Sequence, residues 1–285
     1  MSFITRFAPS PTGRLHLGHA YSAMMVDAAA RAAGGKMLLR IEDIDHTRCR
    51  PEFDAGIIED LRWLGLSYDP PLWRQSERTA LYEQRLQQLI DERLVYRCFK
   101  TRRELADAMD APHGAPSAPY RGGPLPPELE SQRLESGEPF AWRLWLERAL
   151  EGTSEPLIAH EMAESGEVRP IEVDPTLHGD VVLARKDIGT SYHLASITDD
   201  IAAGITHIVR GEDLRDVLGL HTLIHRLLGA PSPIYRHHEL IADETGERMA
   251  KRRGSQSLAD LRHEGVKPAD LYAQFGLPSP SSAAD

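Results

Sequence analysis

Along this chain the apolar positions switch between two periods from the first residues onward. Residues 3–7, Phe-Ile-Thr-Arg-Phe, make an apolar run of strand length, and a Pro- and Gly-rich stretch at 9–13 follows. Residues 18–33 are rich in Ala and Met and end at Gly34-Gly35, which predicts a helix closed by residues free to adopt left-handed backbone. Residues 37–41 read as a second strand, with Glu42, Asp43 and Asp45 at its end. Strand, helix and strand in this order predict a βαβ unit. Pro51, with Phe53, Ile57, Ile58, Leu61 and Leu64 at helical spacing, predicts a helix over 51–64. Ser76 is expected to cap a helix reaching about residue 93, with Leu81, Leu86, Leu89 and Ile90 on one side. Further on, 181–184, 207–210 and 234–235 read as strands, separated by helices at about 191–203 and 214–228.

Such alternation predicts an α/β fold with a parallel sheet covered by helices on both faces. Residues 96–177 alternate poorly and contain the Pro/Gly/Ala-rich stretch 111–127. They are expected to be an insertion between two halves of one nucleotide-binding domain, 1–95 and 178–245, with a short helical C-terminal region at 246–285.

Composition narrows the class. With 285 residues, 41% hydrophobic, and 33 basic against 43 acidic side chains for a net charge of −10, the chain suits one large domain or two small ones. The longest apolar-rich run, 15–26, is broken by His16, His19, Tyr21 and Ser22, short of the ~20 residues that span a bilayer. No secretory pattern opens the sequence, and Cys49 and Cys98 make no disulfide framework. A cytoplasmic enzyme without membrane attachment is expected. The acidic total argues against a general nucleic-acid coat but leaves room for a local basic face.

In open α/β sheets, ligands lie outside the carboxyl ends of the strands, where the strand order reverses. Polar clusters fall there: Arg6 to Gly13 after the first strand, His16-Leu17-Gly18-His19 at the first helix, Arg40 to Asp45 after the second strand, and Arg210-Gly211-Glu212-Asp213 after a later one. A further cluster is Arg248-Met249-Ala250-Lys251-Arg252-Arg253. Two imidazoles beside a helix N-terminus, with Gly18 keeping bulk away, favour an anion such as phosphate. Taken alone, the pair also reads as two surface or capping histidines, the acidic turn as a helix cap, and the basic run as a solvated surface.

Order changes the balance. Arg-Phe-Ala-Pro-Ser-Pro-Thr-Gly, then His-Leu-Gly-His, Arg-Ile-Glu-Asp-Ile-Asp, Tyr192-His-Leu-Ala, Val209-Arg-Gly-Glu-Asp-Leu and Met-Ala-Lys-Arg together resemble the catalytic core of class I glutamyl-tRNA synthetases, from residue 3 to about 275. His16 to His19 fits the HIGH signature and Arg248 to Arg252 the KMSKS signature. Only 32 residues follow Arg253, too few for an anticodon-binding domain of ~100 residues. This shortness resembles the glutamyl-queuosine tRNA(Asp) synthetase family.

The resemblance implies a Rossmann-like class I fold and ATP-dependent activation of L-glutamate without tRNA, followed by transfer to the queuosine base of tRNA(Asp). Magnesium would accompany ATP, and the protein would act as a monomer. His16, Gly18, His19, Met249 and Lys251 would contact ATP, with His16, His19 and Lys251 as the catalytic set. Arg6, Ala8, Ser10, Glu42, Tyr192 and Arg210 would contact glutamate: arginine grips a carboxylate through its planar fork, and Glu42 would take the ammonium. Asp45, Asp199 and Asp200 are expected to support structure, and Arg252 and Arg253 to meet tRNA or solvent.

The sequence departs from KMSKS at Arg248 and Ala250. It also departs from the Cys-x-Cys, Tyr, Cys zinc pattern of the family's insertion. Cys98 and Tyr120 are kept, but Lys100 and Pro124 stand where Cys is expected, so no zinc or other protein-bound metal is expected, since a closed zinc site takes four ligands. Phe140, Trp142, Leu144 and Trp145 would hold the insertion by packing. Two other readings stay open: a catalytic fragment charging the 3′ end of tRNA, and a non-catalytic tRNA-binding relative.

Overall fold

The computed structural model describes residues 2–101, 104, 119–151, 155–185, 189–241 and 256–280. The first expected unit forms as β1 (Ile4–Phe7), α1 (Leu17–Ala32) and β2 (Lys36–Ile41), with β1 and β2 parallel and Arg6 beside Leu38. Helix α1 buries Ala20, Ala23, Met24 and Ala30, small or flexible residues that let it settle close to the strands. The turn into β2 is equally tight. A Cβ on Gly35 would lie 2.2 Å from the Phe3 carbonyl oxygen, which accepts the Lys36 N–H at 2.8 Å.

Helix α2 (Pro51–Trp63) starts on its proline and turns Ile57 and Leu61 inward. Strand β3 (Asp69–Arg74), parallel to β2, is absent from the sequence reading because Asp-Pro-Pro-Leu-Trp-Arg shows no alternation and its prolines offer no N–H. Such a segment is tolerated at a sheet edge, where β3 lies. The expected Ser76 cap does not form. Ser76 sits in a 3-10 turn, Gln75–Arg78, before α3 (Thr79–Asp91). Its N–H and hydroxyl donate instead to the Asp43 carboxylate at 2.8 and 2.6 Å.

The remaining elements are β4 (Val95–Cys98), α4 (Pro127–Glu135), β5 (Ala141–Leu144), α5 (Leu146–Leu150), β6 (Ile158–Met162), β7 (Val168–Glu172), β8 (Val182–Arg185), β9 (Gly189–Thr190), α6 (Tyr192–Ala202), β10 (His207–Gly211), α7 (Leu218–Leu227), β11 (Ile234–His238), α8 (Leu258–His263) and α9 (Pro268–Gln274). They form two further sheets, β10-β11-β6-β7 and the antiparallel β4-β5-β8-β9. Thr206 stitches β10 to β1, its N–H donating to the Ile4 carbonyl and its hydroxyl accepting the Ile4 N–H, both at 2.9 Å. Across that seam the order reads β3-β2-β1, then β10-β11-β6-β7. From β1 the chain steps outward to β2 and from β10 to β11, in opposite directions across the seam, leaving a switch point between them.

Strand pairing crosses both edges expected for the insertion. Strand β6 runs parallel to β11, so 158–172 extends the nucleotide-binding sheet. Strand β8, expected in the second half, pairs antiparallel with β5. Strand β7 is largely exposed, and an edge strand so placed shows little apolar alternation. The Phe99, Phe140 and Trp142 rings pack in sequence with centroids 5.6 and 5.7 Å apart, and Leu144 is fully buried. Trp145 half-buries its ring, with its indole N–H unpaired. No helix among the described residues is long and apolar enough to cross a membrane.

Candidate active site

The site is assembled from strand ends on both sides of the β1/β10 seam. From β1 comes Arg6, from β2 Arg40 and Glu42, from α6 Tyr192, Asp199 and Asp200, and from β10 Arg210. All but the half-buried Tyr192 are buried. Asp200 Oδ1 accepts from Arg6 Nε at 3.1 Å and Arg40 Nη1 at 2.6 Å, while Arg40 Nη2 donates to Glu42 Oε1 at 3.1 Å. Beside them Asp199 accepts from Arg78 Nε at 2.6 Å, Tyr82 Oη at 2.8 Å and Gln75 Nε2 at 3.2 Å.

Burial alone would push these groups toward neutrality, and each resolves that differently. Burial works against the Arg40 charge, but Asp200, Glu42 and Asp199 outweigh it and hold the guanidinium above its usual value. Asp200 stays below the carboxylate range because Arg40 and Arg6 overcome its burial. For Glu42 burial wins, raising its carboxyl despite Arg40 and Arg6. Burial also raises the Tyr192 phenol, with Glu42 adding to the shift and Arg6 and Arg210 opposing it. Tyr192 is thus in the shared field of the residues expected around glutamate.

Arg210 is different. Its Nε donates to His237 Nε2 at 3.0 Å and its Nη1 to His221 Nδ1 at 3.2 Å, and it stacks 4.7 Å from the Tyr235 ring centroid. Its buried Nη2 has no hydrogen-bond partner, and burial pushes the guanidinium below its usual value.

His16 and His19 open α1 and cap it. His16 Nδ1 accepts from Gly18 N–H at 3.1 Å and His19 Nδ1 from His16 N–H at 3.2 Å. The capping reading of the pair is therefore correct, and it carries a chemical consequence. With each Nδ1 used as an acceptor, a neutral ring must hold its proton on Nε2. Burial lowers both rings, His19 to about 4 with His16 adding to the shift, so at neutral pH the turn offers two Nε2–H donors and no cation. A Cβ on Gly18 would meet the His16 ring at 3.0 Å, so glycine there preserves the cap geometry.

A cavity of about 870 Å³ runs from Ser10, Glu42 and Tyr192 to Cys98 and Arg143 of the β4-β5-β8-β9 sheet and to Phe140 just before β5. Ala8 is half-buried beside it in sequence. Met249 and Lys251, with Arg248, Ala250, Arg252 and Arg253, lie outside the described residues, as does His113. On either side of that stretch, His238 Nε2 bonds Ser22 Oγ at 3.1 Å and Leu258 N–H donates to Leu15 O at 2.8 Å. Both flanks thus rest on the segment that carries His16 and His19. Asp45 is half-buried and lines the same cavity, paired with Arg48 and held down to about 2, first by Thr47 and then by Arg48.

At the expected zinc position, Cys98 Sγ is 4.0 Å from Tyr120 Oη and the Lys100 ammonium lies 5.2 Å from the Tyr120 ring centroid. One thiol, one phenol and a cation are not a zinc donor set. No group of three or more metal-ligating side chains occurs among the described residues.

The catalytic-domain model of class I tRNA synthetases (E and Q) matches residues 2–279. The chain belongs to this family. It is 45% identical over 96% of its length to the whole of a glutamyl-Q tRNA(Asp) synthetase from Rhodobacter capsulatus, and 41% identical to one from Nitratidesulfovibrio vulgaris, covering 85% of that protein. A glutamate–tRNA ligase from Coprothermobacter proteolyticus is 36% identical, and the chain spans 57% of it. Among solved structures, a glutamate tRNA ligase from Elizabethkingia meningosepticum in complex with its amino acid superposes with a TM-score of 0.73 at 29% identity, over 93% of this chain and 53% of that one. The expected fold class, the family and the ligase class therefore hold.

Several residues of the site were given no role from sequence. Arg40 was visible as a charge inside the apolar run Met-Leu-Leu-Arg-Ile, a sign of a buried pair. Asp199 and Asp200, expected to support structure, do so as the acceptors that fix Arg78, Arg40 and Arg6. His221 and His237 gave no local signal, because their partners are distant in sequence.

Proposed function

We propose that the chain activates L-glutamate with ATP in the absence of tRNA and then transfers the glutamyl group to the queuosine base of tRNA(Asp). The observation that carries this reading is the convergence of Arg6, Glu42, Tyr192 and Arg210 on one buried site, with Arg210 Nη2 unpartnered and Glu42 held by a single Arg40 N–H that does not offset its burial. A carboxylate answers the first deficit and an α-ammonium the second. Full-length similarity to glutamyl-Q tRNA(Asp) synthetases supports the acceptor.

In the activating step the α-carboxylate of glutamate attacks the α-phosphorus of ATP and pyrophosphate leaves. Side chains do no covalent work, so alignment and charge stabilisation dominate. His16 and His19 donate Nε2–H to phosphate oxygens at the helix N-terminus, where backbone N–H groups also favour an anion. Met249 and Lys251 contact ATP, Lys251 neutralising charge on the leaving pyrophosphate. Ala8 and Ser10 line the glutamate pocket through backbone and hydroxyl. Magnesium enters with ATP, and Cys98 serves as a buried thiol without zinc. The protein acts as a cytoplasmic monomer.

Two measurements test this. Glutamate-dependent exchange of pyrophosphate into ATP is expected without tRNA, and labelled glutamate is expected on tRNA(Asp) carrying queuosine but not on the same tRNA with guanine there. A strict need for tRNA in the first assay, with charging of a 3′ end, would assign the chain to the tRNA-charging relatives that are 36% identical. No exchange under either condition would leave a binding protein.

A further inference from the structure

Arginine donates hydrogen bonds and accepts none. Wherever a histidine nitrogen faces a guanidinium N–H, that nitrogen must therefore present its lone pair. Both ring contacts to Arg210 obey this constraint and fix the protons of the surrounding imidazoles. His237 Nε2 accepts from Arg210 Nε, so the His237 proton is on Nδ1, which donates to Glu161 Oε1 at 2.7 Å. His221 Nδ1 accepts from Arg210 Nη1, so its proton is on Nε2, which donates to His193 Nδ1 at 3.1 Å. Glu161 is anchored in turn by Arg215 Nη1 at 2.7 Å. Protonating either clamp would set N–H against N–H, so both rings are neutral when the clamp is closed.

The charge balance of the site gives this clamp its meaning. Arg6, Arg40 and Arg78 are matched by Asp199, Asp200 and Glu42, three positive groups against three negative. No carboxylate contacts Arg210 among the described residues. A carboxylate in the place of either imidazole would hold the guanidinium equally well but would cancel its charge. Neutral acceptors hold it and leave the charge intact.

We infer that His221 and His237 are positioning residues that hold Arg210 through neutral imidazole nitrogens, so that its charge and its Nη2 stay available to select a side-chain carboxylate over a carboxamide. The inference rests on the reading that Arg210 meets the side chain of glutamate. A carboxylate brings a full negative charge and acceptor oxygens on both sides. The amide of glutamine brings no charge and an NH2 that opposes Nη2. Residue Glu161 of β6 gives the sheet-extending hairpin a part in this selection, because it fixes the tautomer of His237.

The test is a pair of nearly isosteric variants, His221→Asn and His221→Asp, assayed by amino-acid-dependent pyrophosphate exchange with and without tRNA. Both keep an oxygen that can accept from Arg210 Nη1; only the second adds a charge. His221→Asn is expected to keep the glutamate KM within about threefold of wild type, and His221→Asp to raise it about tenfold or more while the ATP KM is unchanged. Discrimination against glutamine should fall only in the Asp variant. Because His221 is buried, His237→Ala and His237→Gln give a second pair, with the glutamate KM raised by Ala and largely restored by Gln. Equal effects of Asn and Asp, or an ATP KM that rises in step with the glutamate KM, would overturn the inference while leaving the wild-type activity standing. Absence of glutamate-dependent exchange in the wild type would instead overturn the glutamate reading itself, and this inference with it.

Discussion

On the two sides of the β1/β10 seam, two buried arginines are held in opposite ways. Arg6 on β1 is tied to a carboxylate, Asp200, which it shares with Arg40. Arg210 on β10 is tied to two imidazoles and to no carboxylate among the described residues. One side is a closed ionic network whose charges already balance; the other is a fixed cation awaiting an anion. A buried ion pair adds little net stability but is costly to break, whereas an uncompensated buried cation is itself unfavourable. The first side is therefore built for rigidity, and the second keeps an electrostatic deficit that a substrate carboxylate can fill.

Removing the shared acceptor gives the largest expected effect. Asp200→Ala leaves Arg6 and Arg40 buried without a counter-charge and should lower stability by about 3–5 kcal/mol in urea unfolding; a loss below about 1 kcal/mol would show that the network is not closed. Arg210→Ala should do the reverse, raising the glutamate KM about a hundredfold while costing less stability than Asp200→Ala, because it removes a cation that no carboxylate contacts among the described residues. An unchanged KM would refute its place in the pocket.

Acidification should separate the two sides further. Burial depresses His19, His193 and His237 to about 4, and His225 likewise. Their unfolded values lie near 6.5, so between these limits the unfolded chain binds more protons and stability rises with pH. The contribution is complete above about pH 6.5 and is lost as pH falls toward 4, with each such proton worth about 1.4 kcal/mol per pH unit. Asp60, raised to about 6 by burial, works in the opposite direction, as do Asp27 and Glu42, while His16, His221 and His238, lowered by burial, add to the four. Unfolding midpoints that stay flat from pH 7 to 4.5 would contradict neutral buried imidazoles. The smallest effect is expected at the end of the imidazole chain. His193→Ala removes the acceptor for His221 Nε2–H and should raise the glutamate KM only about two- to fivefold, the worth of one neutral hydrogen bond.

Much of this architecture is legible in the sequence. The β1-α1-β2 unit, the α2 start at Pro51 and a helix from about residue 191 follow from apolar period and local helix-start chemistry; that Ser191 caps α6, its hydroxyl accepting from Leu194 N–H, is a finding of the structure. Ser76 misled because a serine before a helix is a cap only if its oxygen faces the first turn. Here a carboxylate 33 residues earlier competes for it. Strand β3 was hidden by its prolines, and the membership of β6 and β8 was hidden because pairing depends on which edge is open, a property of the assembled sheet.

By itself, the sequence determined the family, the order of its signature clusters and the residue types available to meet ATP and glutamate. These depend on local pattern and on motif order, which survive in one dimension. Tertiary structure decided which charges cancel and which do not. Asp200 lies 194 residues from Arg6, and His237 lies 27 from Arg210; only folding brings a carboxylate to one arginine and neutral nitrogens to the other. Electrostatic compensation falls steeply with distance and depends on burial, so the fold left Arg210, and not Arg6, with an uncancelled charge.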